Sequence, residues 1–241
     1  MGIKMVGFDA DDTLWKSQDY FDDAQREYES IMGKYIDLQS PETHNFLLKV
    51  EKQNVGLYGY GVKGMMLSMM QAAVEITEDR VSATDMRDIL RIGRELLQHP
   101  VELLEGIEDA VATVAREVPI VLITKGDLFH QEAKVKRTPL SQQFKRIEIV
   151  SEKDPSTYGR LFREFEVEPS EFLMVGNSVK SDILPILEMG GWGVHVPYHT
   201  TWAIENAELP SDSERVLIAE HAARIPSAVM ELRERSLNPA S

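Results

Sequence analysis

The sequence predicts an α/β fold: a parallel sheet core with helices on both faces, together with an inserted all-helical domain. Six short apolar runs alternate with segments of helical periodicity over most of the chain. Uninterrupted apolar runs of this length are typical of strands buried on both faces, and their alternation with helices favours a parallel sheet. One interval, from about Lys16 to Gln98, contains amphipathic stretches but no convincing strand, which indicates the helical insertion.

The apolar runs end in small or polar residues, as strands do where they meet loops. They span residues 3–10, 119–126, 146–151, 172–178, 192–197 and, more weakly, 215–219. Helical stripes occupy residues 106–118, 155–167 and 181–191. In the last of these, Pro185 must lie in the first turn or kink the helix.

The domain prediction places residues 1–15 and 99–241 in a Rossmann-like core and residues 16–98 in the helical insertion. Within the insertion, residues 54–64 contain four glycines without the spacing and following lysine of a phosphate-binding loop, so they predict a flexible loop. The methionines that follow, Met65, Met66, Met69 and Met70, predict core packing rather than a binding surface.

Composition narrows the classes of function. The formal net charge of -14 disfavours nucleic acid, although a local pocket can still hold a small anion. The absence of cysteine excludes disulfides, thiol nucleophiles and thiolate metal sites. With no leader-like segment and no run of eighteen apolar residues, we expect a soluble, cytoplasmic protein that does not bind membranes. Whether it is a monomer or a homodimer stays open.

Polar residues lie at or just beyond the carboxyl ends of four of the predicted strands. They are Asp9, Asp11 and Thr13 for the first, Thr124, Lys125 and Gly126 for the second, Lys153 and Asp154 for the third, and Asn177, Ser178, Ser181 and Asp182 for the fourth. Ligands of open α/β sheets bind beyond the carboxyl ends of the strands, so we expect these residues to converge on one crevice. The carboxylates of Asp9, Asp11 and Asp12 would repel one another unless a positive charge offsets them.

The chain resembles the haloacid dehalogenase superfamily of phosphohydrolases in four motifs that occur in order. Asp9-Ala10-Asp11-Asp12-Thr13 matches its Asp-x-Asp-x-Thr motif, Thr124 in VLITKG its strand-ending Ser or Thr, and Lys153 in SEKDP its lysine. GNSVKSD matches its acidic loop Gly-Asp-x-x-x-x-Asp, with Asn177 in place of the first Asp. The helical insertion lies where that superfamily places a helical cap.

The resemblance implies a magnesium-dependent phosphatase of a small phosphorylated metabolite. Asp9 would be the nucleophile that forms an aspartyl phosphate, and Asp11 would protonate the leaving oxygen and later deprotonate the hydrolytic water. Lys153 would stabilise charge on the phosphoryl group and on Asp9. The oxygens of the phosphoryl group would be held by Thr124 and by the backbone amides of Lys125 and Gly126.

The same resemblance implies a Mg²⁺ site, because this cation prefers oxygen ligands. The ligands would come from the Asp9 carboxylate, the backbone carbonyl of Asp11 and the acidic loop. Within that loop, Asn177 is favoured as the direct ligand, and Asp182 would hold a metal-bound water or Lys153. His195 and His199 are not predicted as ligands, since their spacing of four suits a metal only on a helix and His195 lies in a predicted strand.

Two residues depart from the superfamily pattern. Asn177 removes one negative charge from the metal site. Asp12 stands where many relatives carry glycine, and we interpret Asp12 as a solvated surface charge. Three alternatives remain: a haloacid dehalogenase-type hydrolase, a phosphomutase of the same fold, and a catalytically weak phosphate-binding regulatory protein. Asp11 argues against the dehalogenase, because a departing halide needs no proton.

Overall fold

The computed structural model describes residues 2–40, 43, 45–210 and 213–237. The chain divides into two compact units, Met1–Gln18 with Val101–Ser241, and Asp19–Pro100. The sequence prediction placed these limits at 15/16 and 98/99, and its domains include residues 1, 41–42, 44, 211–212 and 238–241, which lie outside the described residues. Along the described ranges, none of the helices is long and apolar enough to cross a lipid bilayer.

The larger unit is built on a six-stranded parallel sheet, as the sequence predicts. Its strands are β1 (Met5–Phe8), β2 (Ile120–Lys125), β3 (Arg146–Val150), β4 (Phe172–Gly176), β5 (Trp192–His195) and β6 (Val216–Ile218). Their order is β3-β2-β1-β4-β5-β6, so β1 lies between β2 and β4. The loops that follow these three strands therefore leave the same edge of the sheet side by side, where the strand order reverses direction.

The helices of the described residues fall into two groups. The smaller unit contains α1 (Gln18–Met32, which begins at the last residue of the larger unit), α2 (Phe46–Tyr58), α3 (Val62–Ile76) and α4 (Ala83–Gln98). The larger unit contains α5 (Ile107–Glu117), α6 (Leu128–Arg137), α7 (Pro155–Phe165), α8 (Leu184–Glu188) and α9 (Ile225–Leu237). A π-helical turn, Val179–Ile183, precedes α8, and Pro185 lies in the first turn of α8 as predicted. Helices α6 and α9 were not predicted from the sequence.

Both faces of the sheet are covered, because successive side chains of a strand point to opposite sides. In β2, Leu122 packs into a cluster with Phe8, Val111 and Val114, whereas its neighbour Val121 packs into a second cluster around α7. Burying one such side chain stabilises the fold by about 1.5–3 kcal/mol. This two-sided core fixes the positions from which the loops of the site emerge.

The smaller unit has its own apolar core, which includes Met69. Met65 and Met70 are partly buried against this cluster, in line with the predicted packing role. Helices α3 and α4 approach closely at Gly93, where a Cβ atom would lie 2.5 Å from the Met66 sulfur. The predicted glycine-rich loop is shorter than expected: α2 extends to Tyr58, which leaves only residues 59–61 between helices.

A polar cluster supports the start of α4. The Ser82 hydroxyl accepts a hydrogen bond from the Asp85 amide at 3.0 Å and caps the helix. The Asp85 carboxylate accepts hydrogen bonds from Lys34 Nζ (2.5 Å), Ser82 Oγ (2.7 Å) and the Tyr35 hydroxyl. The hydrogen bonds from Lys34, Ser82 and Tyr35 hold the pKa of this carboxyl well below its usual value.

Candidate active site

Asp9 is the first residue beyond β1, at the centre of the carboxyl edge of the sheet. Its amide donates to the Val175 carbonyl of β4 (2.8 Å), which fixes its backbone. The residue is buried, with 7% of its surface exposed. Its carboxylate accepts hydrogen bonds from Lys153 Nζ at Oδ1 (2.5 Å) and from Thr13 Oγ1 at Oδ2 (2.9 Å). The structure therefore brings together the proposed nucleophile and the lysine of the third motif.

Lys153 lies between two carboxylates. Its Nζ donates to Asp182 Oδ1 (2.6 Å) as well as to Asp9, and all three residues are buried. The second oxygen of Asp182 accepts the Ser178 amide (3.0 Å), so both of its oxygens are bonded within the protein. Gly176 makes this approach possible, because a Cβ there would lie 2.2 Å from Asp182 Oδ2.

The charges of this cluster do not balance, since one ammonium faces two carboxylates. Burial raises the pKa of the Asp9 carboxyl to about 7, although the positive charge of Lys153 opposes the rise. Burial lowers the pKa of Lys153, but the carboxylates of Asp182 and Asp9 outweigh it and hold that pKa above its usual value. Lys153 is therefore protonated, and the cluster carries surplus negative charge when both carboxyls are ionised.

Asn177 faces Asp9 through a shared hydroxyl. Thr13 Oγ1 lies 2.9 Å from Asp9 Oδ2 and 3.3 Å from Asn177 Oδ1, and it accepts a hydrogen bond from the backbone amide of Asn177 at 3.0 Å. The side-chain oxygens of Asp9 and Asn177 thus both lie beside the Thr13 hydroxyl. His195, the last residue of β5, contacts the Asn177 carbonyl through Nε2 at 3.0 Å.

The donor set fits a hard cation that keeps part of its water shell. Within the part of the chain that the structure describes, no three His, Asp or Glu side chains are grouped so as to hold a metal. A metal site here would need the Asn177 amide oxygen and a backbone carbonyl beside Asp9, all of them oxygen donors. Mg²⁺ commonly binds one or two carboxylates, several waters and substrate phosphate.

Asp11 points toward α6 and is held by three donors. Its Oδ1 accepts from Trp15 Nε1 (2.6 Å) and Lys134 Nζ (2.5 Å), and its Oδ2 accepts from Gln131 Nε2 (3.1 Å). Burial raises the pKa of Asp11, but the charge of Lys134 and the three hydrogen bonds lower it by more, so the net shift is downward. The ionised carboxylate is suited to accepting a proton, and it must first gain one in order to donate it.

Residues at the carboxyl end of β2 are already engaged by neighbours. Thr124 is buried, and its hydroxyl accepts from Gln131 Nε2 at 2.6 Å. The Gly126 amide makes a long hydrogen bond to the Val150 carbonyl (3.3 Å), whereas the resemblance implies that it holds a phosphoryl oxygen. The Lys125 ammonium bonds to Glu205 (2.8 Å), Ser181 (2.9 Å) and Glu152 (3.2 Å).

The interpretation of Asp12 as a solvated surface charge is wrong. Asp12 is buried, and its carboxylate accepts the amides of Ser17 (2.8 Å) and Gln18 (2.9 Å) at the start of α1. Its φ of 61° lies in the left-handed region, which glycine and, less readily, Asp and Asn adopt. The turn therefore suits glycine, and Asp12 adds a cap that glycine lacks.

Four residues of the site were not predicted from the sequence. Trp15, Gln131 and Lys134 surround Asp11, and Glu205 accepts from Lys125, Ser178 and Ser181. A lysine or glutamine in a helix of unknown orientation carries no signal that separates it from a surface residue.

A family model described as haloacid dehalogenase-like hydrolase matches residues 3–190. The chain belongs to this family. It is therefore a hydrolase, and the superfamily predicted from its four motifs is confirmed. The comparison with curated proteins gives no significant match.

Solved structures agree with this family. A haloacid dehalogenase-like family hydrolase from Xanthomonas campestris is 45% identical, with a TM-score of 0.89 over 99% of this chain and 95% of that chain. A predicted phosphoglycolate phosphatase from Haemophilus somnus is 17% identical, with a TM-score of 0.59 over 93% and 97% of the two chains. L-2-haloacid dehalogenase from Xanthobacter autotrophicus, with chloropropionic acid covalently bound, is 15% identical, with a TM-score of 0.62 over 95% and 98%. The last two likenesses show the fold, and they do not separate phosphatase from dehalogenase chemistry.

Proposed function

We propose that this hydrolase is a magnesium-dependent phosphatase that acts on a small phosphorylated metabolite through an aspartyl-phosphate intermediate. The observation that carries the proposal is the buried contact of Asp9 with Lys153, whose ammonium also binds Asp182. A carboxylate held at the central strand end beside a fixed positive charge is suited to attack an electrophile whose negative charge the same lysine stabilises.

In the first half of the reaction, an oxygen of Asp9 attacks phosphorus and the bond from phosphorus to the leaving oxygen breaks. Asp11, once it has taken up a proton from the solvent, supplies the proton that the leaving oxygen takes up. In the second half, water attacks the phosphorus of the aspartyl phosphate and loses a proton to Asp11, which releases inorganic phosphate and restores both carboxyl groups. Positioned proton transfer of this kind contributes about 10²–10⁴-fold to a rate.

The other residues hold the reacting groups in place. Asp182 favours the charged form of Lys153 and restrains its ammonium beside Asp9, because it accepts a second hydrogen bond from the same Nζ. Thr124 lies at the carboxyl end of the adjacent strand, where its hydroxyl can reach a phosphoryl oxygen. The backbone amides of Lys125 and Gly126 would also bind phosphoryl oxygens. For Gly126 this requires that its long hydrogen bond to the Val150 carbonyl break when the substrate binds.

The magnesium ion would be held by the Asp9 carboxylate, the Asp11 carbonyl and the Asn177 amide oxygen. Asp182 would support the site indirectly, since both of its oxygens already bond within the protein. When bound, the ion supplies positive charge that reduces repulsion between Asp9 and an anionic phosphoryl group. The surplus negative charge around Lys153 favours such a cation.

Asp11 favours a phosphatase over a dehalogenase-type hydrolase. Three donors hold its carboxylate close to Thr124, through Gln131, so a proton-transferring group has a defined place in the site. Displacement of a halide requires no protonation of the leaving group, so Asp11 would have no proton to transfer in the first step of a dehalogenase. The net charge of -14 disfavours a nucleic-acid substrate, and the absence of cysteine is compatible with the reducing cytoplasm, where we expect the protein to act.

The test is release of inorganic phosphate from a panel of phosphate monoesters, measured with magnesium and with magnesium replaced by EDTA. A parallel set of reactions measures chloride released from 2-chloropropionate. We expect magnesium-dependent phosphate release from one class of monoester and no chloride release. Chloride without phosphate would establish the dehalogenase, and neither product over the whole panel would favour the regulatory protein.

Asp109→Asn is a matched control for the nucleophile variant Asp9→Asn. Both substitutions replace a carboxylate by its amide, but Asp109 is exposed in the first turn of α5 and is not one of the residues that contact Asp9. The control should keep full activity while Asp9→Asn loses it. Equal activity of the two variants would contradict the assignment of Asp9 as nucleophile.

A further inference from the structure

We propose that Lys134 and Gln131, one turn apart on α6, are positioning residues that fix the Asp11 carboxylate relative to Thr124. The geometry stands on its own contacts, whereas the catalytic purpose rests on the function proposed above. Neither residue belongs to the four motifs, and both are buried on a helix that the sequence did not predict.

Lys134 differs from the lysine two residues further along the same helix. The Lys134 side chain is 10% exposed, and its Nζ lies 2.5 Å from Asp11 Oδ1. Lys136 is 75% exposed and pairs with Glu132 on the helix surface. Burying an ammonium is unfavourable unless a partner compensates for lost hydration, so the Lys134 side chain is committed to Asp11.

Trp15 completes the contact with Asp11 Oδ1. Its indole Nε1 donates to this oxygen at 2.6 Å, and Lys134 Nζ lies 6.0 Å from the centre of the indole ring. Trp15 is fully buried, so the ring itself has little freedom to move. One carboxylate oxygen is thereby held between a rigid donor and a cation.

Gln131 joins the proposed acid–base group to the proposed phosphate-binding hydroxyl. Its Nε2 lies 3.1 Å from Asp11 Oδ2, 2.6 Å from Thr124 Oγ1 and 3.1 Å from the Lys125 carbonyl. Its Oε1 is buried and has no hydrogen-bond partner among the residues that the structure describes. An amide that leaves its own acceptor unsatisfied is unfavourable as packing, so its contacts through Nε2 account for its presence here.

Together these donors engage both oxygens of Asp11 and remove the rotational freedom of its side chain. Proton transfer to a leaving oxygen depends on a donor placed within tenths of an ångström, and a misplacement of about 1 Å can cost 10²-fold in rate. Loss of either α6 residue should therefore slow the chemistry through Asp11 without changing the nucleophile.

The first test observes the position of Asp11 without any reaction. The indole N–H resonance of Trp15, assigned by its loss in Trp15→Phe, reports the hydrogen bond to Asp11 in two-dimensional ¹H–¹⁵N spectra. In Lys134→Met it should move in the direction of its position in Asp11→Asn, and Lys134→Arg should restore it in part. The matched control Lys136→Met should leave it unchanged.

The second test is kinetic and uses an alkyl and an aryl phosphate. An alkyl leaving group needs the proton more, so Lys134→Met should lower its kcat about 10- to 100-fold and that of the aryl phosphate by a smaller factor. In the Asp11→Asn background the same substitution should have no further effect, because its route to the chemistry is gone. Gln131→Met is the second variant, and both tests are made with it if Lys134→Met does not fold.

The outcomes separate this inference from the proposed function. An unmoved indole resonance in both α6 variants overturns the positioning role, whatever the activity. A moved resonance with full turnover of the alkyl phosphate, or with an equal loss in the Asp11→Asn background, overturns its catalytic purpose. A moved resonance in a protein that releases no phosphate from any monoester supports the positioning role and contradicts the proposed function.

Discussion

Two clusters of carboxylate and lysine, one in each compact unit, differ in how much water surrounds the lysine. In the larger unit the Lys153 side chain is 2% exposed and bonds two buried carboxylates, Asp9 and Asp182. In the smaller unit the Lys34 side chain is 57% exposed and bonds one carboxylate, Asp85, which also accepts two hydroxyl hydrogen bonds. The cluster around Lys153 has two carboxyl groups for one ammonium, whereas the cluster around Lys34 has one of each.

The difference indicates why each cluster is present. A buried ion group with unequal charges costs desolvation and contributes little net stability, so its retention points to function. A partly exposed, balanced group at a helix start stabilises local structure and is poorly placed for chemistry. We therefore expect substitutions in the first cluster to change activity most and those in the second to change only stability.

The largest expected effect is the loss of turnover in Asp9→Asn. The substitution removes the nucleophile with almost no change in volume, and we expect kcat to fall by about 10⁴-fold or more. It also removes one of two negative charges that share a lysine, so the melting temperature should stay the same or rise. Phosphate release and thermal unfolding of the same sample measure both effects. A variant that loses stability but keeps its turnover would contradict the assigned difference between the two clusters.

Lys153→Met should affect stability far more than Lys34→Met. Without its ammonium, Asp9 and Asp182 are left as buried carboxylates with no cation, a loss of about 3–5 kcal/mol in the free energy of unfolding. In Lys34→Met the carboxylate of Asp85 keeps its two hydroxyl donors, and the ammonium that is removed is already largely in water, so a smaller loss is expected. Urea unfolding of both variants makes the comparison, and equal losses would show that burial does not distinguish the clusters.

Asn177→Asp should strengthen magnesium binding. An added carboxylate beside Asp9 attracts a divalent cation even at a high effective dielectric, so the magnesium concentration for half-maximal activity should fall. Maximal activity need not rise, because tighter metal binding withdraws charge from Asp9. Magnesium titrations, followed by activity and by calorimetry without substrate, measure the change. An unaltered magnesium requirement, together with its loss in Asp182→Asn, would transfer the direct ligand role to Asp182.

The smallest effect is expected from Asp85→Asn, and it should depend on pH. The pKa of Asp85 is lower in the folded protein than its usual value of 3.8. Its ionised form therefore contributes stability that is fully present above that value and is lost as the pH falls toward the folded pKa. Urea unfolding should show wild type more stable than the variant at pH 7, with the difference shrinking below about pH 4. A difference independent of pH would exclude the charge as its cause.

The strands and the motif residues were predictable because their signals are local. An apolar run that ends in Asp9 or in Asn177 shows both the strand and its carboxyl end, and the parallel order then brings the ends together. The contacts of Lys134 with Asp11 join residues more than a hundred positions apart and depend on how α6 is rotated against the sheet. Asp12 was misread because its left-handed turn and its capping role appear only when the backbone is known.

The most direct test of the central claim is to identify the residue that becomes phosphorylated. A fast acid quench during turnover of the preferred monoester, followed by peptide mass spectrometry, locates the phosphoryl group, and beryllium fluoride bound to the resting protein supplies a stable mimic for crystallography. We predict the modification on Asp9 and its absence in Asp9→Asn, with Asp109→Asn modified as in the wild type. A phosphoryl group on any other residue, or phosphate release by Asp9→Asn at the wild-type rate, would contradict the account.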